Sequence, residues 1–260
     1  MEKHQTYDIA FSLGAACACS IALRRAGLQY ASFPLDWMAK GTLVERAALV
    51  ASRFDHWLDI GDFVYMGKNK INGLGMFRNE RTGLTHLHDF VDGPIEASHA
   101  KVVEKYRRRE SRLFSLGDKA KRILCVYLSR PPGPAVSDDE LRTARSLVAE
   151  TFPQATVELL HFAHDPGRKP SDRTVRSVDD GIFEISFDYA DPERDVNMEA
   201  VISVLVEEGF TARDFRSRAE RRAYNLSLKM KKYGVTTRAA LFRARIRAQF
   251  RRTFGLRPAS

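Results

Sequence analysis

The sequence lacks an apolar segment of the length that a secretory signal or a membrane span requires. Its opening residues, Met1 to Gln5, are mostly polar or charged, and no such segment follows them. Cysteine is also scarce, with three residues that include the near neighbours Cys17 and Cys19. This odd number does not form an extracellular disulfide framework, so we expect reduced thiols and a cytoplasmic protein.

Internal repeats and heptad tracts are absent too, which excludes a solenoid and a coiled coil. The chain has 260 residues and is 44% hydrophobic, enough to bury a substantial core. We therefore expect one domain, or one domain with an appendage.

Charge is distributed unevenly along the chain. Residues 212–260 contain fifteen lysines and arginines against two acids, a net charge of +13, while the whole chain carries +9. Residues 1–211 therefore carry a net charge of −4. We predict that residues 1–211 form the main domain and that residues 212–260 form a basic helical tail.

The tail is predicted to be an amphipathic helix. Ala239, Phe242, Ile246 and Phe250 recur at helical spacing, and arginines occupy much of the remainder. Such a helix suits an anionic membrane surface, and docking on the main domain or on a partner subunit explains the pattern equally well. Nucleic acid is a weaker candidate because no recognised nucleic-acid-binding motif accompanies the arginines. The membrane alternative would place the protein at the inner face of the membrane.

The hydrophobic pattern predicts alternating strands and helices. We expect strands over 7–12, 123–128, 156–162 and 181–187, and helices over 17–26, 43–53, 96–116 and 195–208, with a further helix starting after Ser137. Ser137 and Glu140 form a capping-box pattern. Residues 59–79 are expected to form loops or short irregular strands, and residues 166–180 an exposed loop. The fold class is therefore α/β, a layered sheet with parallel strand pairs and flanking helices.

Cys17 is the first candidate for chemistry. The predicted first strand ends at Ser12, the chain turns through Gly14, Ala15 and Ala16, and a helix then begins. A thiol near a helix N-terminus ionises more easily because unpaired N–H groups and the helix dipole favour the thiolate. The competing interpretation is that Cys17 is only a small packing residue.

Four short segments in this order resemble a known family. They are Ser-Leu-Gly-x-x-Cys at 12–17, the Arg24-Arg25 helix, Phe-Pro-Leu-Asp-Trp at 33–37, and His-Asp-Phe at 88–90. Together they are similar to a bacterial family of uncharacterised proteins labelled "putative papain-like cysteine peptidases", over roughly the first half of the chain. Leu35 departs from the family's Pro-Phe-Asp-Trp, although the acid is retained. The strand and helix order is less like papain's separate helical and β-barrel lobes.

The resemblance implies a cysteine-dependent hydrolase or acyl transferase. Cys17 would be the nucleophile, His88 the base, and Asp36 the acid that orients the imidazole ring. Asp89 is the other candidate acid, although neighbouring side chains on an extended backbone point in different directions. We expect no cofactor. His86 could share a face with His88, but no third ligand at suitable spacing supports a metal site.

The same turn offers a substrate-binding site. The N–H groups of Cys17, Ala15 and Ala16 could form an oxyanion hole. Alternatively, Ser12 and Gly14 could border an anionic donor such as a sugar nucleotide, although the full Gly-x-Gly-x-x-Gly pattern is absent. Trp37 could stack on a sugar or a base.

Two other functions therefore stay open. One is a transferase or sugar-nucleotide-binding protein of bacterial surface-polysaccharide assembly, a setting that the resemblance also implies. The other is a non-catalytic interaction protein whose motifs maintain the fold.

Overall fold

The computed structural model describes residues 6–14, 17–131, 133–193 and 195–222. Its strands, in chain order, are β1 (Thr6–Tyr7), β2 (Ile9–Ser12), β3 (Met38–Ala39), β4 (Phe63–Lys68), β5 (Gly75–Asn79), β6 (Thr85–Phe90), β7 (Arg122–Leu128), β8 (Thr156–His164), β9 (Thr174–Asp179), β10 (Ile182–Phe187), β11 (Ala190–Asp191), β12 (Asp195–Val196) and β13 (Thr211–Ala212). Its α-helices are α1 (Cys17–Arg25), α2 (Leu43–Ala51), α3 (His99–Gly117), α4 (Asp138–Thr151) and α5 (Met198–Glu207).

The main sheet has the strand order β2-β7-β8-β10-β9. Neighbouring strands among β2, β7, β8 and β10 pair in parallel, and β9 pairs antiparallel with β10 at the edge. The carboxyl ends of the four parallel strands therefore lie along one edge of the sheet. In parallel α/β sheets this edge is where ligands bind.

Helices cover both faces of this sheet. Leu124, Val126 and Leu128 alternate along β7 and belong to a core that includes buried residues of α1 and α5. Helix α4 packs on β8 and also contacts α2. Because β7 is apolar along nearly its whole length, it is buried on both faces, as a central strand requires.

A second, antiparallel sheet has the order β3-β6-β5-β4. Its strand β6 carries the His-Asp-Phe segment of residues 88–90 and contacts α3. The His-Asp-Phe segment therefore comes from a different sheet than the strand that leads into α1.

The predicted fold class is confirmed, and most predicted elements are found within a few residues of their expected ends. Ser137 caps α4 as its sequence predicts: its side chain accepts a hydrogen bond from the Glu140 N–H, and the Glu140 carboxylate accepts one from the Ser137 N–H.

Two predictions of local structure were wrong. Residues 174–179, expected in a loop, form the edge strand β9, whose polar residues pair with β10 on one side only. Helix α2 ends at Ala51 rather than continuing to residue 53, because Arg53 and Phe54 adopt positive φ angles of 53° and 62°. Phe54 and Trp57 are nevertheless buried.

The chain divides into two compact units, Met1–Arg213 and Asp214–Ser260. Of the second unit only residues 214–222 are described; there Arg216 pairs with Asp214 and Ser217 accepts a hydrogen bond from the Glu220 N–H. The rest of the predicted amphipathic tail, residues 223–260, lies outside the described residues. Within the described residues, none of the helices combines the length and apolar character needed to cross a bilayer.

A substitution at Gly117 tests how tightly α3 packs against the core. A Cβ atom at this position would lie 2.3 Å from the ring of Phe152, which is completely buried. We expect Gly117→Ala to lower the free energy of unfolding by about 1–3 kcal/mol, as overpacking of a core does. Urea denaturation measures the change. Gly61→Ala is the matched control because a Cβ there meets nothing within 4 Å, and equal losses in both variants would contradict the prediction.

Candidate active site

Cys17 is the first residue of α1 and lies near the carboxyl edge of the main sheet. Its side chain is half-buried, whereas Cys19 and Cys125 are buried. Burial raises the pKa of the Cys17 thiol, and its own backbone N–H and the charge of Arg130 oppose the rise only in part. The thiol is therefore accessible but protonated at neutral pH.

Ser12 and Gly14, at the end of β2, pack closely against α1. The Gly14 N–H donates to Ser12 Oγ at 3.0 Å, and the buried Cys19 thiol donates to the Val126 carbonyl at 3.4 Å. A Cβ on Gly14 would lie 2.3 Å from the Cβ of Cys19. Glycine is therefore required here for helix-to-strand packing. Ala15 and Ala16, predicted to contribute to an oxyanion hole, lie outside the described residues.

Asp36 is the centre of a buried polar network. It lies in the 3₁₀ turn Pro34–Trp37, is completely buried, and accepts hydrogen bonds at Oδ2 from Arg24 at 2.5 Å, Gln29 at 2.7 Å and the Phe33 N–H at 2.9 Å. Burial raises the pKa of Asp36, and Arg24, Phe33 and Gln29 oppose the rise. The carboxylate thus fixes the 33–37 turn against α1.

Ser20 links this turn to the helix that carries the thiol. Its hydroxyl lies 3.1 Å from the Cys17 carbonyl oxygen and 3.0 Å from the Asp36 carbonyl oxygen. The buried Ser20 hydroxyl therefore links the segment at residues 12–17 to the segment at residues 33–37.

Trp37 connects the turn to His88. Its ring meets the His88 ring edge-on, with centroids 6.3 Å apart, and the Arg24 guanidinium lies 5.5 Å from the centre of the Trp37 ring. A series of contacts thus runs from the Cys17 carbonyl through Ser20 to the backbone of Asp36, and from the neighbouring Trp37 ring to His88. Within the described residues, no hydrogen bond joins the Cys17 thiol to His88, and the Asp36 carboxylate bonds Arg24 rather than His88.

Asn72 is the hydrogen-bond partner of His88. Its Oδ1 accepts from the Leu74 N–H at 2.9 Å, and its Nδ2 donates to the Leu87 carbonyl at 3.0 Å, which fixes the orientation of the amide. The same Nδ2 lies 2.8 Å from Nδ1 of His88. Nδ1 is therefore an acceptor, and the neutral ring carries its proton on Nε2. His88 is otherwise exposed.

Asp89 belongs to a separate buried cluster. It bonds His86 Nδ1 at 2.9 Å and the Tyr106 hydroxyl at 2.6 Å, and it pairs with Lys105. Burial opposes ionisation of Asp89, but the hydrogen bonds and charges of His86 and Lys105 hold the pKa of its carboxyl below its ordinary value. The Asp89 carboxylate is thus bonded to His86, on the buried side of the strand, rather than to its neighbour His88.

Potential metal ligands do not cluster. Among the described residues, the structure contains no group of three or more histidine, cysteine, aspartate or glutamate side chains that could hold a metal ion. His86 and His88, considered above as a possible pair of metal ligands, have different surroundings: His86 is buried against Asp89, and His88 contacts Asn72.

The comparisons with known proteins agree with the motif order. Residues 8–129, a little under half of the chain, match the model of a family described as "Putative papain-like cysteine peptidase (DUF1796)". The chain is also 20% identical over 178 residues to "Uncharacterized protein R408" of Acanthamoeba polyphaga mimivirus, covering 61% of this chain and 78% of the relative. No solved structure matches.

The family match is consistent with a cysteine hydrolase in outline and specifies no substrate. The relative comes from a virus, so the bacterial origin that we expected for the family has no support in these comparisons.

Sequence reasoning missed Asn72 and Arg130 as neighbours of the candidate site. Asn72 lies in the Asn-rich turn between β4 and β5, and Arg130 follows β7, which ends at the carboxyl edge. Arg130 could have been predicted near the site, because it follows the end of a buried parallel strand. No sequence signal indicated that Asn72 would face β6.

Asp36→Ala tests whether the buried network holds the site together. Removal of one partner of a buried ion pair leaves the other without compensation, so we expect the free energy of unfolding to fall by about 3–5 kcal/mol. Chemical denaturation measures the loss. Glu80→Ala removes an exposed carboxylate that pairs with Arg78 at 3.8 Å, and we expect it to change stability by less than about 1 kcal/mol. A similar loss in both variants would contradict the role given to Asp36.

Proposed function

We propose that this protein is a cysteine-dependent hydrolase or acyl transferase in which Cys17 is the nucleophile and His88 transfers the proton. The observation that carries the proposal is a half-exposed thiol on the first residue of α1, near the carboxyl edge of a parallel sheet. The match of residues 8–129 to the papain-like family supports the same assignment.

The charges around Cys17 indicate how the thiol would be activated. Because burial raises its pKa, the resting enzyme does not hold a preformed thiolate. The proton must leave as the sulfur attacks the carbonyl carbon, which is general-base catalysis. Arg130, whose charge favours the thiolate, would stabilise the sulfur at that moment.

For His88 to act as the base, one of its ring nitrogens must be free to accept a proton. Its proton is on Nε2 because Asn72 donates to Nδ1. To accept the thiol proton, the ring must turn or break its contact with Asn72. Trp37, edge-on to the ring, would restrict such a turn.

The pH dependence of alkylation tests the state of the thiol. A raised pKa keeps the thiolate fraction below that of a free cysteine at pH 7, so we expect carbamidomethylation of Cys17 by iodoacetamide to be slow there. The rate should keep rising with pH beyond the ordinary thiol value of about 8.5. Peptide mapping by mass spectrometry follows each cysteine. A rate that is already maximal at neutral pH would show a preformed thiolate and contradict this mechanism.

Acyl transfer from p-nitrophenyl acetate tests the assigned roles. Cys17 should form an acetyl thioester that hydroxylamine cleaves, and Cys17→Ser should abolish that modified peptide. His88→Gln should slow acetylation of Cys17 by about 10²–10⁴-fold, the usual contribution of a general base. His56→Gln is the control because His56 is an exposed histidine bonded to Asp59. If Cys17 is never acetylated while the protein is folded, the proposal is wrong.

A further inference from the structure

Three polar side chains outside the Cys17 site form a hydrogen-bonded series. The Ser129 hydroxyl lies 2.9 Å from Nε2 of His161, and Nδ1 of His161 lies 2.8 Å from Oε2 of Glu184. His161 is 1% exposed, and Ser129 is half-buried. Neither the family match, which ends at residue 129, nor the sequence motifs include His161 or Glu184.

The main sheet brings these residues together. Ser129 directly follows β7, and its N–H donates to the Phe162 carbonyl of β8 at 3.2 Å. His161 on β8 is the register partner of Glu184 on β10. His161 and Glu184 therefore lie on adjacent parallel strands, and Ser129 lies just past the carboxyl end of the neighbouring strand β7. Placement on regular strands holds His161 and Glu184 more rigidly than placement on loops would, and the hydrogen bond to Phe162 ties Ser129 to β8.

The tautomer of His161 is set by its carboxylate partner. Burial raises the pKa of Glu184, but hydrogen bonds from His161 and Arg176 lower it below its ordinary value. An ionised carboxylate only accepts hydrogen bonds, so Nδ1 of His161 carries the proton. In the neutral ring, Nε2 is then the acceptor, and Ser129 donates to it. The tautomer is the opposite of that of His88, whose acceptor nitrogen, Nδ1, is already bonded to Asn72.

A cavity of about 330 Å³ opens onto this series. Ser129, His161 and Glu184 line it together with Arg130, His164 and the loop residues Pro134, Ala135 and Val136. The volume is at the lower end of the range for small-molecule sites. A short acyl group would fit, and the apolar loop residues would contact its chain.

We propose that Ser129, His161 and Glu184 form a second nucleophilic centre that acts on esters of short-chain carboxylic acids. Ser129 is the nucleophile, His161 the general base and acid, and Glu184 the positioning residue that holds the imidazole tautomer. This proposal is independent of the role proposed for Cys17.

The reaction is a balanced ester hydrolysis. Ser129 Oγ forms a bond to the ester carbonyl carbon while its proton moves to Nε2 of His161. The tetrahedral intermediate then breaks the bond to the alcohol oxygen, which takes that proton and leaves as the alcohol. A water molecule attacks the acyl-serine and gives a proton to Nε2, which returns it to Ser129 Oγ as the carboxylic acid departs. Glu184 stabilises the His161 imidazolium that forms during both acylation of Ser129 and hydrolysis of the acyl-serine.

An alkyl fluorophosphonate, which reacts with activated serines, tests the proposal on the full chain. We expect stoichiometric labelling of Ser129, located by peptide mapping, and no labelling of Ser129→Ala. His161→Gln should slow the reaction by about 10²–10⁴-fold. Ser146→Ala is the matched control because Ser146 is an exposed serine that donates to Glu150 at 3.0 Å, and it should label like the original chain.

Further variants separate catalysis from folding. Glu184→Gln should slow labelling, and the conservative Glu184→Asp should recover part of the rate, which a merely structural role would not produce. Thermal unfolding of each variant confirms that it is folded. Absence of labelling in the original chain, or labelling that persists in folded Ser129→Ala or at an unchanged rate in folded His161→Gln, would overturn the proposal. The Cys17 proposal is tested separately, because its measurement is the acetyl thioester on Cys17 and not the labelling of Ser129.

Discussion

The buried carboxylate of Asp36 is the interaction on which the candidate site depends. A charge without contact to water needs compensation, and Asp36 obtains it from Arg24 of α1, Gln29 and the Phe33 amide. These donors come from α1, from the segment that follows it and from the residue just before the turn, so the network fixes the turn and the helix to each other. Ser20 extends the connection to the backbone of Cys17. The acid of the Phe-Pro-Leu-Asp-Trp segment therefore has a structural role that explains its presence without a catalytic one.

The two candidate histidines differ in which nitrogen is free to accept a proton. Asn72 donates to Nδ1 of His88, while Glu184 accepts from Nδ1 of His161. A donor partner and an acceptor partner select opposite tautomers of a neutral imidazole. In a neutral ring, the acceptor nitrogen of His161 therefore faces Ser129, whereas the acceptor nitrogen of His88 is already bonded to Asn72. The hydrogen-bond partner of an imidazole ring determines which of its nitrogens can accept a proton, and proximity to a nucleophile alone does not.

Local patterns made much of the fold predictable. The apolar run of β7 and the capping box at Ser137 each specify structure within a few neighbouring residues. The edge strand β9 was missed because its polar residues have no apolar alternation. The pairing of His161 with Glu184 was missed because it arises from strand register, which brings together residues 23 positions apart. Contacts of this kind require the assembled sheet.

The strand order also determines which part of the chain can fold as a unit. The family match ends at residue 129, just after β7, yet β7 is an interior strand that pairs with β8 on its far side. A polypeptide shortened to the matched segment would leave β7 paired with β2 but without a partner on the side of β8, and the apolar residues around Leu124 and Val126 without α5. The segment that matches the family model is thus shorter than the part of the chain that builds the sheet around β7, and it ends where β7 still needs a partner.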